Sequence, residues 1–163
     1  PRPMPPATPL RRRRHRGSAL LALVACSAGC GRETTLATDD GLVRARGDRE
    51  LTSNAPDGAW TFRYPNGELR EEGRFEAGHR VGAWVQYAPN GQLRSRGERV
   101  YDPATNSSPR SGTWTFWHEN GVVAEHGVFV GGNREGRFEF TNRDGSVDAA
   151  RTGEYHAGIK LDG

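Results

Sequence analysis

Cysteine is missing from everything after residue 30; the chain has two, Cys26 and Cys30. A disulfide framework, a cysteine-ligated zinc knuckle and a cysteine nucleophile are therefore excluded from the residues that follow. Lysine is almost absent, with Lys160 alone. Apolar residues make up only 34% of the chain. That argues against a large α/β enzyme with a thick buried core. The apolar run Ser18 to Ala25 is far shorter than the roughly 20 residues a membrane-crossing helix needs. Chain-bending residues, by contrast, are plentiful: 22 Gly and 10 Pro in 163 residues. Many short strands joined by tight turns fit that balance.

A basic excess on the folded part is also missing. Six of the 23 bases are arginines in residues 1–25, where there is no acid. The other 17 bases stand against all 20 acids, a net of −3. A nucleic-acid binder keeps its basic footprint on the folded domain. This chain does not, so no nucleic-acid partner is expected.

The N-terminal basic run is instead followed by the apolar stretch Ser18 to Ala25. A charged segment before a short apolar one reads as a secretory signal over 1–25. It ends in Leu23-Val24-Ala25-Cys26. An aliphatic residue, then a small residue, then Cys resembles the bacterial lipobox, whose Cys thiol takes the lipid as a thioether. Cys26 is the expected lipidation site, with Cys30 (after Ser27-Ala28-Gly29) as the alternative. Acyl chains on one Cys hold a protein at a membrane through about 0.8 kcal/mol per buried CH₂. Ser27 follows Cys26, where Asp would favour retention at the inner membrane, so the outer membrane is the expected location. Residues 26–39 show no periodic apolar pattern and read as a flexible tether.

From residue 40 the chain repeats itself. Gly58-Ala59-Trp60-Thr61-Phe62 returns as Gly82-Ala83-Trp84, as Gly112-Thr113-Trp114-Thr115-Phe116 and as Gly136-Arg137-Phe138-Glu139-Phe140. The starts are 24, 30 and 24 residues apart. Eight and nine residues after each start comes a turn pair: Asn66-Gly67, Asn90-Gly91, Asn120-Gly121 and Asp144-Gly145. A further glycine follows as Gly73, Gly97, Gly127 and, displaced by two, Gly153. The boundaries are a half repeat 40–57 and repeats 58–81, 82–111, 112–135 and 136–162. The second holds an insertion over 101–111, a natural place for specificity and equally for neutral drift.

Asn-Gly and Asp-Gly are strong hairpin signals, so each unit reads as one β-hairpin around a two-residue type I′ turn. That register opposes Tyr64 to Leu69, Phe62 to Glu71 and Trp60 to Gly73. Opposed residues share a face, and glycine gives the Trp ring room. The expected core is Trp60, Phe62, Leu69, Gly73, Phe75, Trp84, Leu93, Gly97, Trp114, Phe116, Val123, Gly127, Phe129, Phe138, Phe140, Val147, Gly153 and Tyr155. Arg99 stands where Phe75 and Phe129 stand in the neighbouring units.

These motifs resemble the MORN repeat in its bacterial variant form over about residues 40–162. The resemblance implies an all-β fold, an elongated antiparallel sheet of stacked hairpins. It implies protein interaction or scaffolding, with no catalysis and no cofactor. Some bacterial members bear a toxin–antitoxin label, which would make the chain a binder that neutralises a toxin.

Catalytic constellations are not evident. His79, His118, His126 and His156 have no zinc-ligand spacing on one element, so no metal is expected. Glu71 and Glu125 share one repeat position on the aromatic face, several strands apart. They read as solvated or arginine-paired acids, not as an acid–base pair. The expectation is a lipid-anchored, non-enzymatic envelope protein that binds another envelope protein. The alternatives are a toxin-neutralising binder and an envelope hydrolase or glycan binder.

Overall fold

Two kinds of tight turn alternate along the chain, and between them they force a meander. The computed structural model describes residues 21–23, 31–37, 43–50 and 53–162. Twelve strands run in order: β1 (Leu21–Leu23), β2 (Gly31–Ala37), β3 (Val43–Glu50), β4 (Pro56–Arg63), β5 (Leu69–Glu76), β6 (His79–Tyr87), β7 (Leu93–Arg99), β8 (Arg110–Trp117), β9 (Val123–Val130), β10 (Asn133–Phe140), β11 (Gly153–His156) and β12 (Ile159–Lys160). Each pairs antiparallel with its sequence neighbours in one open sheet. Extensive contacts run only between consecutive strands. The sheet is thus a single layer, and no α-helix occurs among the described residues.

The first turn type contains the Asn-Gly pairs. Gly67 N–H donates to Tyr64 O at 3.0 Å, and Tyr64 N–H to Glu68 O at 2.8 Å. The same two bonds recur around Gly91, Gly121 and Gly145. Only the glycine is left-handed, with φ of 88°, 80°, 83° and 87° in the four copies. These are three-residue loops in which Gly makes a bulge, not the two-residue type I′ turns expected. The extra residue slips the register, so Leu69 opposes Arg63 instead of Tyr64. Beyond that slip, Phe62 opposes Glu71 and Trp60 opposes Gly73, as expected.

The type I′ turns lie at the other end of the strands. Ala77-Gly78 and Ala157-Gly158 have φ of 46°/86° and 48°/85°, and Gly131-Gly132 has 57°/86°. Each joins directly opposed residues, such as Glu76 and His79.

A third device is the bulge at the first glycine of each unit. Gly73 opposes Trp84 while Arg74 opposes Val81, so β6 carries two extra residues there. Gly58, Gly82, Gly112 and Gly136 have φ of 72°, 63°, 66° and 76°, a region other residues seldom visit. The bulge frees backbone carbonyls that the buried indoles then use. Trp60 Nε1 donates to Asp48 O at 2.8 Å, and Trp114 Nε1 to Glu98 O at 2.9 Å.

The core lies on one face. Trp84, Trp114, Phe138 and Phe140 are at most 1% exposed. The rings of Trp84, Trp114 and Phe138 lie over glycine, but one strand earlier than the hairpin register suggests. Gly47 is covered by Trp60, Gly73 by Trp84, Gly97 by Trp114 and Gly127 by Phe138. Gly153 opposes Phe138 but is covered by the aliphatic stem of Lys160. The two extra residues of the last unit are taken up in a turn, where Arg151 and Thr152 N–H both donate to Asp148 O.

Two expected core residues are not core. Val123 is 37% exposed and Val147 is 66% exposed. Val123 opposes Trp117 next to the loop slip, and Val147 makes an isolated bridge to Thr141 before the chain turns away. Leu69 and Leu93, at the position of Val123, are half-buried. Within the expected tether, residues 31–37 form β2 and Thr34 is buried, paired along the length of β3. Cys26 and Cys30 lie outside the described residues.

Candidate functional site: an arginine-covered aromatic face

With only one layer, the aromatic face must be covered by its own side chains. The rings pack edge to face along the array. Phe75 meets Trp84 at 5.2 Å between centroids, Phe129 meets Phe138 at 5.3 Å, and Phe138 meets Tyr155 at 5.4 Å. Such pairs contribute about 0.5–1.5 kcal/mol beyond area burial.

Arginines form the outer cover, and their positions repeat. Arg80, Arg110 and Arg134 each stand two residues before the bulge glycine. Arg80 lies 4.5 Å from the Trp84 ring centre. Arg110 lies 5.2 Å from Trp114, 4.9 Å from Phe116 and 5.6 Å from Phe129. Arg134 lies 5.3–5.7 Å from Phe138, Phe140 and Tyr155. Arg49 and Arg99 take the Phe75 position in their own units and cover Trp60 and Trp114. A guanidinium suits this task because its flat, weakly hydrated face stacks on rings while its edge still donates. Composition and spacing hid this role. The repeated Arg-x-Gly before each aromatic, in Arg80-Val81-Gly82, Arg110-Ser111-Gly112 and Arg134-Glu135-Gly136, was the available signal.

Of the three arginines that stand two before a bulge glycine, two are paired with acids. Glu71 is buried and accepts from Arg80 at 2.8 Å and from Gln86 Nε2 at 3.2 Å. Arg70 adds a longer contact to it at 3.7 Å. Glu125 accepts from Arg134 Nε at 2.8 Å. That bond raises the Arg134 pKa against the opposing effect of burial. Both acids are therefore arginine-paired, one of the two arrangements expected.

The middle unit differs. Ser95 stands at the position of Glu71 and Glu125, and its hydroxyl lies 2.9 Å from Gln86 Oε1. Arg99 opposes Arg110 directly. Burial, then the neighbouring Arg80 and Arg110 charges, lower the Arg99 pKa. Burial is also the main cause lowering that of Arg110, with the Arg134 charge adding and Glu125 opposing.

The hairpin tips are linked along the array by side chains. Tyr64 OH donates to Tyr87 O at 2.9 Å, and Asn66 Nδ2 to Pro89 O at 2.8 Å. His118 and Asn120 make the matching bonds to Thr141 O and Arg143 O at 2.7 and 2.6 Å. In the second unit Ala88 has no group to donate, and Asn90 Nδ2 turns to Gln92 Oε1 at 3.2 Å. A surface cavity of about 170 Å³ lies there, lined by Ala88, Pro89, Leu93, Arg94, Trp117, His118 and Glu119.

The histidines are dispersed. His79 stacks on Tyr101 of the insertion at 3.7 Å between centroids. His126 meets Thr115 at 2.9 Å and His156 meets Glu135 at 2.8 Å. Among the described residues no three His, Cys, Asp or Glu side chains are grouped to hold a metal.

Comparison with known proteins agrees with the repeat geometry. The family model described as MORN repeat variant matches residues 56–77, 80–100 and 110–130. No curated protein sequence matches the chain. Among solved structures, one similar chain comes from the crystal structure of the GtfA/B complex bound to UDP and GlcNAc. It is 12% identical with a TM-score of 0.29, and the match covers 86% of this chain and 25% of that one. At that score the likeness bears on neither fold nor function. Each matched segment begins in the strand that carries a buried tryptophan and ends about where the following strand ends. Residues 56–77, 80–100 and 110–130 thus each match the MORN repeat variant, one hairpin per match.

Proposed function

We propose that this chain is a non-catalytic interaction module held at the bacterial cell envelope by lipid on Cys26. MORN repeats suggest a module for protein or membrane interaction. One observation carries the reading towards protein: a continuous face of rings topped by half-buried arginines on an open, one-layer sheet. Arg and aromatic side chains are the residue types that anchor protein interfaces. The small net charge after residue 25 gives no broad basic field for a membrane surface.

The lipid anchor rests on Leu23-Val24-Ala25-Cys26. Cleavage before Cys26 would remove β1 and leave β2 as the edge strand. Export of the chain and its placement at the outer membrane follow from the same segment and from Ser27.

Two experiments test the reading. Metabolic labelling with an alkyne fatty acid should tag the wild type and Cys30→Ala but not Cys26→Ala. Crosslinking in living host cells, with mass spectrometry on the C-terminally tagged full-length chain, should enrich one dominant envelope protein. An enriched cytotoxic protein, with rescue from its toxicity, would turn the reading to neutralisation. Labelling of neither cysteine and enrichment of nothing would sink it.

A further inference from the structure

Three equivalent junctions on the aromatic face can be compared position by position. At each, one strand offers a residue two before its small glycine, and the next offers an arginine two before its bulge glycine. At β5–β6 these are Glu71 and Arg80, joined at 2.8 Å. At β9–β10 they are Glu125 and Arg134, joined at 2.8 Å. At β7–β8 they are Ser95 and Arg110. The residue that directly faces the arginine also changes. It is Phe75 in the first junction and Phe129 in the third, but Arg99 in the middle. At each outer junction the arginine is hydrogen-bonded to an acid; at the middle one two arginines face each other and neither is hydrogen-bonded to an acid, Glu71 and Glu125 acting on them only from the neighbouring junctions.

The consequence shows at a single atom. Arg134 Nε donates to Glu125, whereas Arg110 Nε is buried and has no partner. Arg44 NH1, near the N-terminal end of the sheet, is the other such nitrogen among the described side chains. Arg110 is not displaced from its place in the repeat, since it stacks on Trp114, Phe116 and Phe129 as Arg134 stacks on its own three rings. Arg99 donates to Ser108 O at 2.6 Å, which ties the insertion loop to the rim of this junction. A buried charged donor left without an acceptor is costly, and a carboxylate is its strongest complement.

The geometry points to a carboxylate-binding site at the β7–β8 junction, filled by an acidic side chain of a partner protein. That side chain would meet the guanidiniums of Arg99 and Arg110 from the solvent side, above Ser95, which is itself 1% exposed. It would supply from outside what Glu71 and Glu125 supply within their own units. The inference rests on the interaction-module reading of the same face and adds the chemistry of the contact. A protein side chain fits better than a free ion because the flanking surface is a ring-and-arginine stripe that continues along neighbouring strands. The loop over 102–109 rises at the edge of the site, where it can touch only a ligand that extends beyond one carboxylate.

The test uses the full-length ¹⁵N-labelled protein and follows the Arg110 Nε–H signal. The probe is a ten-residue peptide of alternating Glu and Gly; the controls are its Gln–Gly counterpart and inorganic phosphate. Expected is a saturable shift of the Arg110 signal with the Glu peptide, none with the Gln peptide, and phosphate at least tenfold weaker. Ser95→Glu should weaken peptide binding at least tenfold and raise the melting temperature, because it provides the missing acid in cis. It has precedent on both sides, as Glu125 lies between Phe116 and Phe140 and Glu71 between Phe62 and Gln86. If Ser95→Glu fails to fold, Arg110→Lys serves in its place: it keeps the charge, loses the planar fork and should also weaken the peptide. An unmoved Arg110 signal, or equal binding by Ser95→Glu, overturns the site even if crosslinking finds a partner elsewhere on the face. Phosphate binding as tightly as the peptide overturns the claim of a protein side chain.

Discussion

Trp84 lies flat on Gly73 of the strand before it, and a Cβ built on that glycine would stand 2.3 Å from Trp84 Cδ2. Gly73 has an ordinary extended backbone, so the demand for glycine here is one of space alone. Gly73→Ala should therefore cost about 1–3 kcal/mol or more by overpacking. Urea unfolding measures it. In a Trp84→Ala background the same substitution should cost much less, and a double-mutant cycle with no coupling would refute the contact.

Trp84→Ala alone should destabilise by about 3–5 kcal/mol, as expected for a fully buried aromatic. An unchanged melting curve would mean that the ring does not belong to the core. The open sheet makes the measurement sharp, since the described residues form no second layer that could collapse into the gap.

The tip turns separate two jobs of one asparagine. Asn66 Oδ1 accepts from Glu68 N–H inside its turn, while Nδ2 donates to the next tip at Pro89 O. Asn66→Asp keeps the first bond and loses the second. It should cost about 0.5–1.5 kcal/mol, the net value of one hydrogen bond. Asp144→Asn should be close to neutral, because Asp144 makes only the inward bonds to Ser146. Equal losses at the two positions in thermal melts would refute the tip-to-tip role. Gly67→Ala, at φ of 88°, should cost about 1–2 kcal/mol through backbone strain.

Glu135 gives a pH test. The Ala157 N–H, then His156, hold its pKa below the ordinary glutamate range. A carboxylate depressed in the folded state stabilises above its unfolded pKa, and that contribution is lost as pH falls through the folded one. Glu135→Gln should therefore flatten part of the acid side of the melting-temperature profile and leave its slope above pH 6 nearly unchanged. The group is exposed, so the effect should be small and should shrink further in high salt. An acid limb identical to that of the wild type would remove Glu135 from the account.

Repeat number, hairpin direction and most of the core could be read from the spacing of Gly, Trp and Asn-Gly. That legibility has a physical basis: left-handed turns and flat-lying rings tolerate few residue types. The turn class could not be read the same way, because Asn-Gly suits both a two-residue loop and a glycine bulge. Nor do the residues ahead of it decide, since the same loop forms after Tyr64-Pro65, Ala88-Pro89, His118-Glu119 and Asn142-Arg143. The arginine cover was missed because arginine usually means solvent, and here its stem and flat face replace a second layer. Val123 and Val147 misled because repeat position was equated with burial near a loop, where the pairing slips. The middle junction became visible only when three equivalent sites could be laid side by side in space.

The links between hairpin tips have a mechanical consequence. Tyr64 and Asn66 bolt the first unit to the second, and His118 and Asn120 bolt the third to the fourth. Between the second and third, the tip bonds give way to a cavity, and the strand ends are spaced by an inserted loop. In a repeat array, stability is a sum of unit terms and neighbour couplings. Of the three junctions between full repeats, the middle one is thus held by its strand ladder and core alone, without tip-to-tip bonds. Hydrogen exchange should find the hairpin tips at that junction opening before the tips of the other two, at the same place where two arginines have no acid hydrogen-bonded to them.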